Sequence, residues 1–134
     1  MSSRRRKIKN KTITVTLRTG FSGTTSESFK FDSGYEEVDG MVAFATASVN
    51  GIMVQVEDDQ SGVLEDKVPV AFWERNLISQ TYHDVDFKND RQEFTLNFSS
   101  KKLLTQDVEI SFVFRQVDAD ECERRRNHKG CGCK

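Results

Sequence analysis

At 134 residues, with 31% charged side chains and a mean hydropathy of −0.60, the chain is sized for one domain that hides roughly two thirds of its unfolded surface without staples. No apolar run approaches the ~18 residues needed to cross a bilayer, which excludes a transmembrane helix. The net charge of −1 conceals a segregation: residues 1–18 carry seven basic side chains and no acid, residues 19–116 carry 8 basic and 17 acidic side chains, and the last basic residues all follow Glu123. An acidic body is therefore flanked by two basic ends.

Residues 1–11, MSSRRRKIKNK, are polar and aperiodic and read as a flexible basic arm. Arg4, Arg5, Arg6 and Lys7 suit nucleic-acid phosphates, where each neutralised phosphate releases counterions. They suit an acidic protein neighbour equally well, and a solvated tail carries the same weight as both together. No apolar stretch follows this basic run, so it is not patterned as a secretory signal and synthesis in the cytoplasm is expected.

Strand patterning begins at Thr12. KTITVTLR alternates Ile13, Val15 and Leu17 to one face. FSGTTSES reads as a loop, and SFKFD places Phe29 and Phe31 together. From Met41 to Trp73 three successive antiparallel strands are predicted. Val42, Phe44 and Thr46 share one face of the first; Ile52, Val54 and Val56 of the second; Val68, Val70 and Phe72 of the third. Asn50-Gly51 is the hairpin signal between the first two, because a type I′ turn needs positive φ at both central residues. ERNLISQTY reads as a crossover, too short for an independent helix. HDVDFK pairs Val85 with Phe87, Asn89-Asp90 turns, QEFTLNFS aligns Phe94, Leu96 and Phe98, and DVEISFVFRQV aligns Val108, Ile110, Phe112 and Phe114. Eight strands without a long helical pattern predict an all-β antiparallel β-sandwich of jelly-roll type over residues 12–117.

Glu57-Asp58-Asp59 with Glu65-Asp66 invites a calcium reading, but DDQSGVLED lacks the alternating acids, sixth-position Gly and twelfth-position Glu of an EF-type loop. A solvated turn is expected instead. The tail, residues 118–134, holds all three cysteines. Cys122, His128, Cys131 and Cys133 supply four soft ligands for a tetrahedral zinc, but the single C-x-C has no matching second pair. No metal and no cofactor is expected. The tail is read as a second basic contact arm through Arg124, Arg125 and Arg126, which also lower nearby thiol pKa values.

His83, followed by Asp84 and Asp86, is the one acid–base constellation in the body. No activated Ser or Cys motif and no glycine-rich phosphate loop accompanies it, so a non-enzymatic protein is expected.

The succession VDGMVAF, VQVEDDQSGVL, DVDFKNDRQEFTLNF and EISFVF, with Asn89, Arg91 and Gln92 approaching a late strand, resembles the small eight-stranded sandwich proteins that build bacteriophage virions. The resemblance spans residues 12–117. It implies a capsid, vertex or tail component, assembled as a homo-oligomer or with other virion subunits, whose arms reach neighbouring subunits or nucleic acid. The competing expectation is a carbohydrate- or ligand-binding sandwich in which Trp73, Tyr35 and Tyr82 form an aromatic platform. A nucleic-acid regulator needs a recognition helix or ribbon, and the pattern contains none.

Overall fold

The two runs with the strictest alternation, FTLNFSS and VEISFVFRQV, become inner strands, one in each of two stacked sheets. The computed structural model describes residues 7–74 and 82–118. In chain order the elements are β1 (Ile8–Leu17), β2 (Gly23–Phe29), β3 (Glu37–Ala45), β4 (Ile52–Asp58), β5 (Gly62–Pro69), one helical turn α1 (Val70–Trp73), β6 (His83–Lys88), β7 (Phe94–Ser100) and β8 (Val108–Val117). The chain forms an antiparallel β-sandwich of two four-stranded sheets, ordered β1-β8-β3-β6 and β2-β7-β4-β5. β1 pairs with β8, β2 with β7, β3 with β6 and β4 with β5, the pairing of one long hairpin folded over on itself. β3–β8 and β4–β7 contacts complete the sheets.

Period-2 alternation delivers the inner faces of these strands to one core. Ile52, Val54 and Val56 of β4, Phe94, Leu96 and Phe98 of β7, and Val108, Ile110, Phe112 and Phe114 of β8 are buried. Phe29, Phe31, Phe94 and Phe114 form an aromatic cluster, with Phe31 edge-on to Phe94 at 4.6 Å and to Phe114 at 5.1 Å, a geometry their ring quadrupoles favour.

Five local expectations are corrected. β1 starts at Ile8, not Thr12, so residues 8–11 belong to the sheet and pair with Phe114 through Val117. β2 occupies GTTSESF, all but Phe29 of it read as a loop for want of an apolar series, and six of its seven residues are exposed; its ladder with β7 holds it, with Ser26–Asn97 and Ser28–Thr95 side-chain bonds alongside. Asn50-Gly51 joins strands of different sheets rather than a hairpin. Only Gly51 has positive φ, +84°, and Ile52 N–H donates to Val49 O, a type II pattern that carries the chain from one sheet to the other.

The fourth correction is the face of β3. A register shift between Val38 and Gly40 inserts one residue, so Val38, Met41 and Ala43 face the core while Phe44 is 44% exposed. Gly40 lets Tyr82 pack closely here: a Cβ at position 40 would lie 3.0 Å from Tyr82 Cβ, so the tyrosine would have to shift by a few tenths of an ångström. The fifth concerns the end of β5. The strand stops at Pro69, and the following helical turn replaces period 2 with i, i+3 spacing. Val70 and Trp73 therefore point inward, and Phe72, 54% exposed, points out. The crossover residues 75–81 lie outside the described residues.

Candidate contact site where both chain ends leave the sandwich

Antiparallel pairing of β1 with β8 runs to the last described residues of each. Asp118 N–H donates to Lys7 O at 3.0 Å, and the Lys7 ammonium lies 3.9 Å from the Asp118 carboxylate and over the Tyr35 ring. The chain therefore enters and leaves the sheet at one point. Lys7 is the one predicted contact residue within the described part; Arg4, Arg5, Arg6, Arg124, Arg125 and Arg126 lie outside it, as do Cys122, His128, Cys131 and Cys133.

Beneath this point is a polar hub that the sequence reading did not foresee. Gln116, at a core position of β8, is fully buried. Its Oε1 accepts the Asp32 N–H at 2.7 Å, and its Nε2 donates to Asp32 Oδ2 at 3.1 Å. Lys9 and Lys11, on the inner face of β1, each place Nζ 3.1 Å from the same carboxylate. The Gln116 amide first, then Lys11 and Lys9, hold the Asp32 carboxyl down at about 2. Half the supposed arm is thus clamped to the body. The available signal was a Gln interrupting the apolar inner series 108, 110, 112, 114.

The residues that carried the family resemblance organise the loops at this end. Asn89 Nδ2 donates to Asp32 O and Tyr35 O at 2.9 and 2.6 Å, and Arg91 takes the left-handed conformation, φ +66°. Gln92 Nε2 donates to Lys88 O and Asp58 Oδ2 at 2.8 and 2.9 Å. The Asp58 carboxylate also accepts the Gln60 and Ser61 N–H groups. Burial pushes the Asp58 pKa up, but the bonds from Gln92, Ser61 and Gln60 prevail and hold it below the usual value. The acid-rich turn is thereby a set of capped loops in which Asp58 is engaged by backbone and amide donors.

His83 lies on the same face of β6 as buried Val85, so strand alternation turns Asp84 and Asp86 the other way. Its ring stacks on Phe72 at 5.3 Å and Nε2 sits 3.1 Å from Glu74 O. The His-Asp run does not converge as an acid–base pair. The aromatic platform also fails to assemble: Trp73 is 2% exposed, Tyr35 lies under Lys7, and Tyr82 crosses the sheet to donate its OH to Asn10 Oδ1. The outer face of β2-β7-β4-β5 instead carries a shallow groove of about 330 Å³ lined by Thr24, Ser26, Gln55, Lys67, Asn97 and Ser99, among others. Within it, Ser26 donates to Asn97 Oδ1, and Asn97 Nδ2 donates to Gln55 and Glu57.

No helix among the described residues is long and apolar enough to cross a membrane. Compared with known proteins, the chain matches no protein-family model and no curated protein.

Proposed function

We propose that this chain is a non-enzymatic assembly protein: a β-sandwich of jelly-roll type that serves as a rigid body and makes contacts through its two basic ends. The setting we propose is a virion, as a capsid, vertex or tail component made in the host cytoplasm. The observation that carries the reading is the Lys7–Asp118 pair, which roots both basic ends at one place. Arg4 lies three residues before Lys7 and Arg126 eight residues after Asp118. At ~3.3–3.6 Å per extended residue, all six arginines stay within about 30 Å of that root. Six guanidiniums confined to that volume, beside a body of net −9 over residues 19–116, favour an anionic partner over general solubility.

The pairing of β1 with β8, β2 with β7, β3 with β6 and β4 with β5 supports the jelly-roll assignment. Such folds serve viral capsids and lectins alike, and fold alone does not choose between them. The charge plan favours assembly. The polar groove around Asn97 favours the second reading, a binder of hydroxyl-rich ligands such as neutral oligosaccharides.

Fluorescence anisotropy with a labelled single-stranded oligonucleotide and with polyglutamate tests the arms, using the full chain and chains lacking residues 1–6 or 119–134. Oligonucleotide binding by the full chain, weakened by either truncation, is expected. Absence of binding at low salt, or affinity indifferent to both truncations, would overturn it. Chemical-shift changes at Asn97 and Ser26 with a neutral oligosaccharide, and none with the oligonucleotide, would select the second reading.

A further inference from the structure

Four strands end the two sheets, and three of them carry features that block pairing with another chain. β5 has register shifts against β4, charges at Glu65, Asp66 and Lys67, and a terminal Pro69. β6 is six residues long with Asp84 and Asp86 exposed, and its pairing with β3 shifts. β2 begins at Gly23 and turns the charged Glu27 to the inner face, opposite Leu96. Short length, bulges, Pro and inward charge are the devices that keep edges from pairing.

β1 has one of them, the inward Lys9 and Lys11, and both are ion-paired with Asp32. It is ten residues long, pairs with β8 without a register shift, and contains neither Gly nor Pro. The Asp118 N–H to Lys7 O bond fixes which of its backbone groups are used. Residues 7, 9, 11, 13, 15 and 17 face β8, so the N–H and C=O groups of Ile8, Asn10, Thr12, Thr14 and Thr16 face outward. The side chains of these five residues are uncharged and exposed, and among the described residues no strand pairs with that edge.

We propose that β1 pairs antiparallel with β1 of a second copy, joining two sheets into one of eight strands about a two-fold axis near Thr12–Thr14. A second copy is the fitting partner because the free edge is self-complementary. With the axis there, Lys9 and Lys11 of one strand stand opposite apolar residues of the other, Leu17 or Val15 for Lys9 and Val15 or Ile13 for Lys11. No lysine faces a lysine, and threonines meet threonines or Asn10 on the outer face. Asp32, ion-paired with both lysines, offsets one of their two charges in each copy. The pairing deepens the assembly reading by naming one of its contacts. It is measured without polyanion, so its failure leaves the basic-end reading intact.

Sedimentation equilibrium of the full chain, from micromolar to millimolar, measures it directly. Thr14→Pro removes an N–H that β8 does not use, and Thr14→Lys sets like charges near the axis while keeping every backbone donor. The wild type is expected to dimerise and Thr14→Lys to remain monomeric with its thermal transition retained; Thr14→Pro, where it folds, behaves likewise. Amide exchange at Asn10, Thr12, Thr14 and Thr16 is expected to slow as the wild type associates. A wild type monomeric at millimolar concentration, or a dimer that Thr14→Lys leaves intact with those amides exchanging freely, would overturn the proposal.

Discussion

Gln116 and Asp32 hold each other in both directions, the Asp32 N–H donating to Gln116 Oε1 and the Gln116 amide donating to the Asp32 carboxylate. This exchange lets a polar side chain occupy a fully buried position of β8 and ties the β2–β3 loop to the strand carrying the C-terminal end. Gln116→Leu leaves the Asp32 N–H without its acceptor and the carboxylate without its strongest donor. The expected loss is about 1–3 kcal/mol, read as a lower urea midpoint at unchanged m-value. A midpoint equal to wild type would show that the pair contributes nothing beyond its replacement by packing.

The same carboxylate sets an acid limit. Its folded pKa lies at about 2, below the ordinary 3.8, so the folded state holds Asp32 deprotonated more tightly than the unfolded chain does. That contribution is complete above about pH 4 and disappears as pH falls from there through about 2. Stability measured by denaturant titration across this window is expected to fall less steeply in Asp32→Asn than in wild type. Parallel profiles would contradict the assignment.

Truncation separates residues 1–6 from the part of the basic arm that is clamped to the sheet. Removing residues 1–6 leaves every pairing among the described residues in place, and the melting temperature is expected to hold. Removing residues 1–11 deletes the pairs from Ile8–Val117 to Lys11–Phe114 and both lysines on Asp32, and the melting temperature is expected to drop by several degrees. Equal melting temperatures for the two truncations would mean that the first four residues of β1 contribute nothing to the fold.

Core and surface residues next to one another differ sharply in expected cost. Phe112→Ala empties a fully buried site and should destabilise by about 3–5 kcal/mol. Ser111→Ala loses one hydroxyl contact to Thr14 and should cost under about 1 kcal/mol. At the helical turn, Trp73 fluorescence should be blue-shifted in the native protein and shift to the red on unfolding. Phe72→Ser should leave it blue-shifted, whereas emission at the wavelength of solvated indole in native wild type would contradict the inward placement of Trp73.

Strands whose inner side chains are strictly alternating and apolar were legible: β4, β7 and β8 present the residues that period 2 assigns to them. Reading failed where a long-range partner rather than local pattern decides the structure. GTTSESF has no apolar series, and only the ladder offered by β7 makes it a strand. Asn50-Gly51 is a sound local turn, but nothing near it reveals that the flanking strands belong to different sheets. In β3 one extra residue at Val38–Gly40 reversed the faces that follow, and after Pro69 a change of period exchanged Phe72 for Trp73 in the core. At the contact site, Lys7 and the basic clusters were visible as composition. Asp32 and Gln116, 84 residues apart, meet only when β3 has paired with β8.

The salt dependence of oligonucleotide binding bears most directly on the claim that both basic ends act from one root. Each phosphate neutralised on a single strand contributes about −0.7 to the slope of log K against log salt. If Arg4, Arg5, Arg6, Lys7, Arg124, Arg125 and Arg126 all engage, the intact chain should give a slope near about −5, falling to about −3 without residues 119–134. A slope already near −3 in the intact chain and unchanged by that deletion would contradict joint action of the two ends.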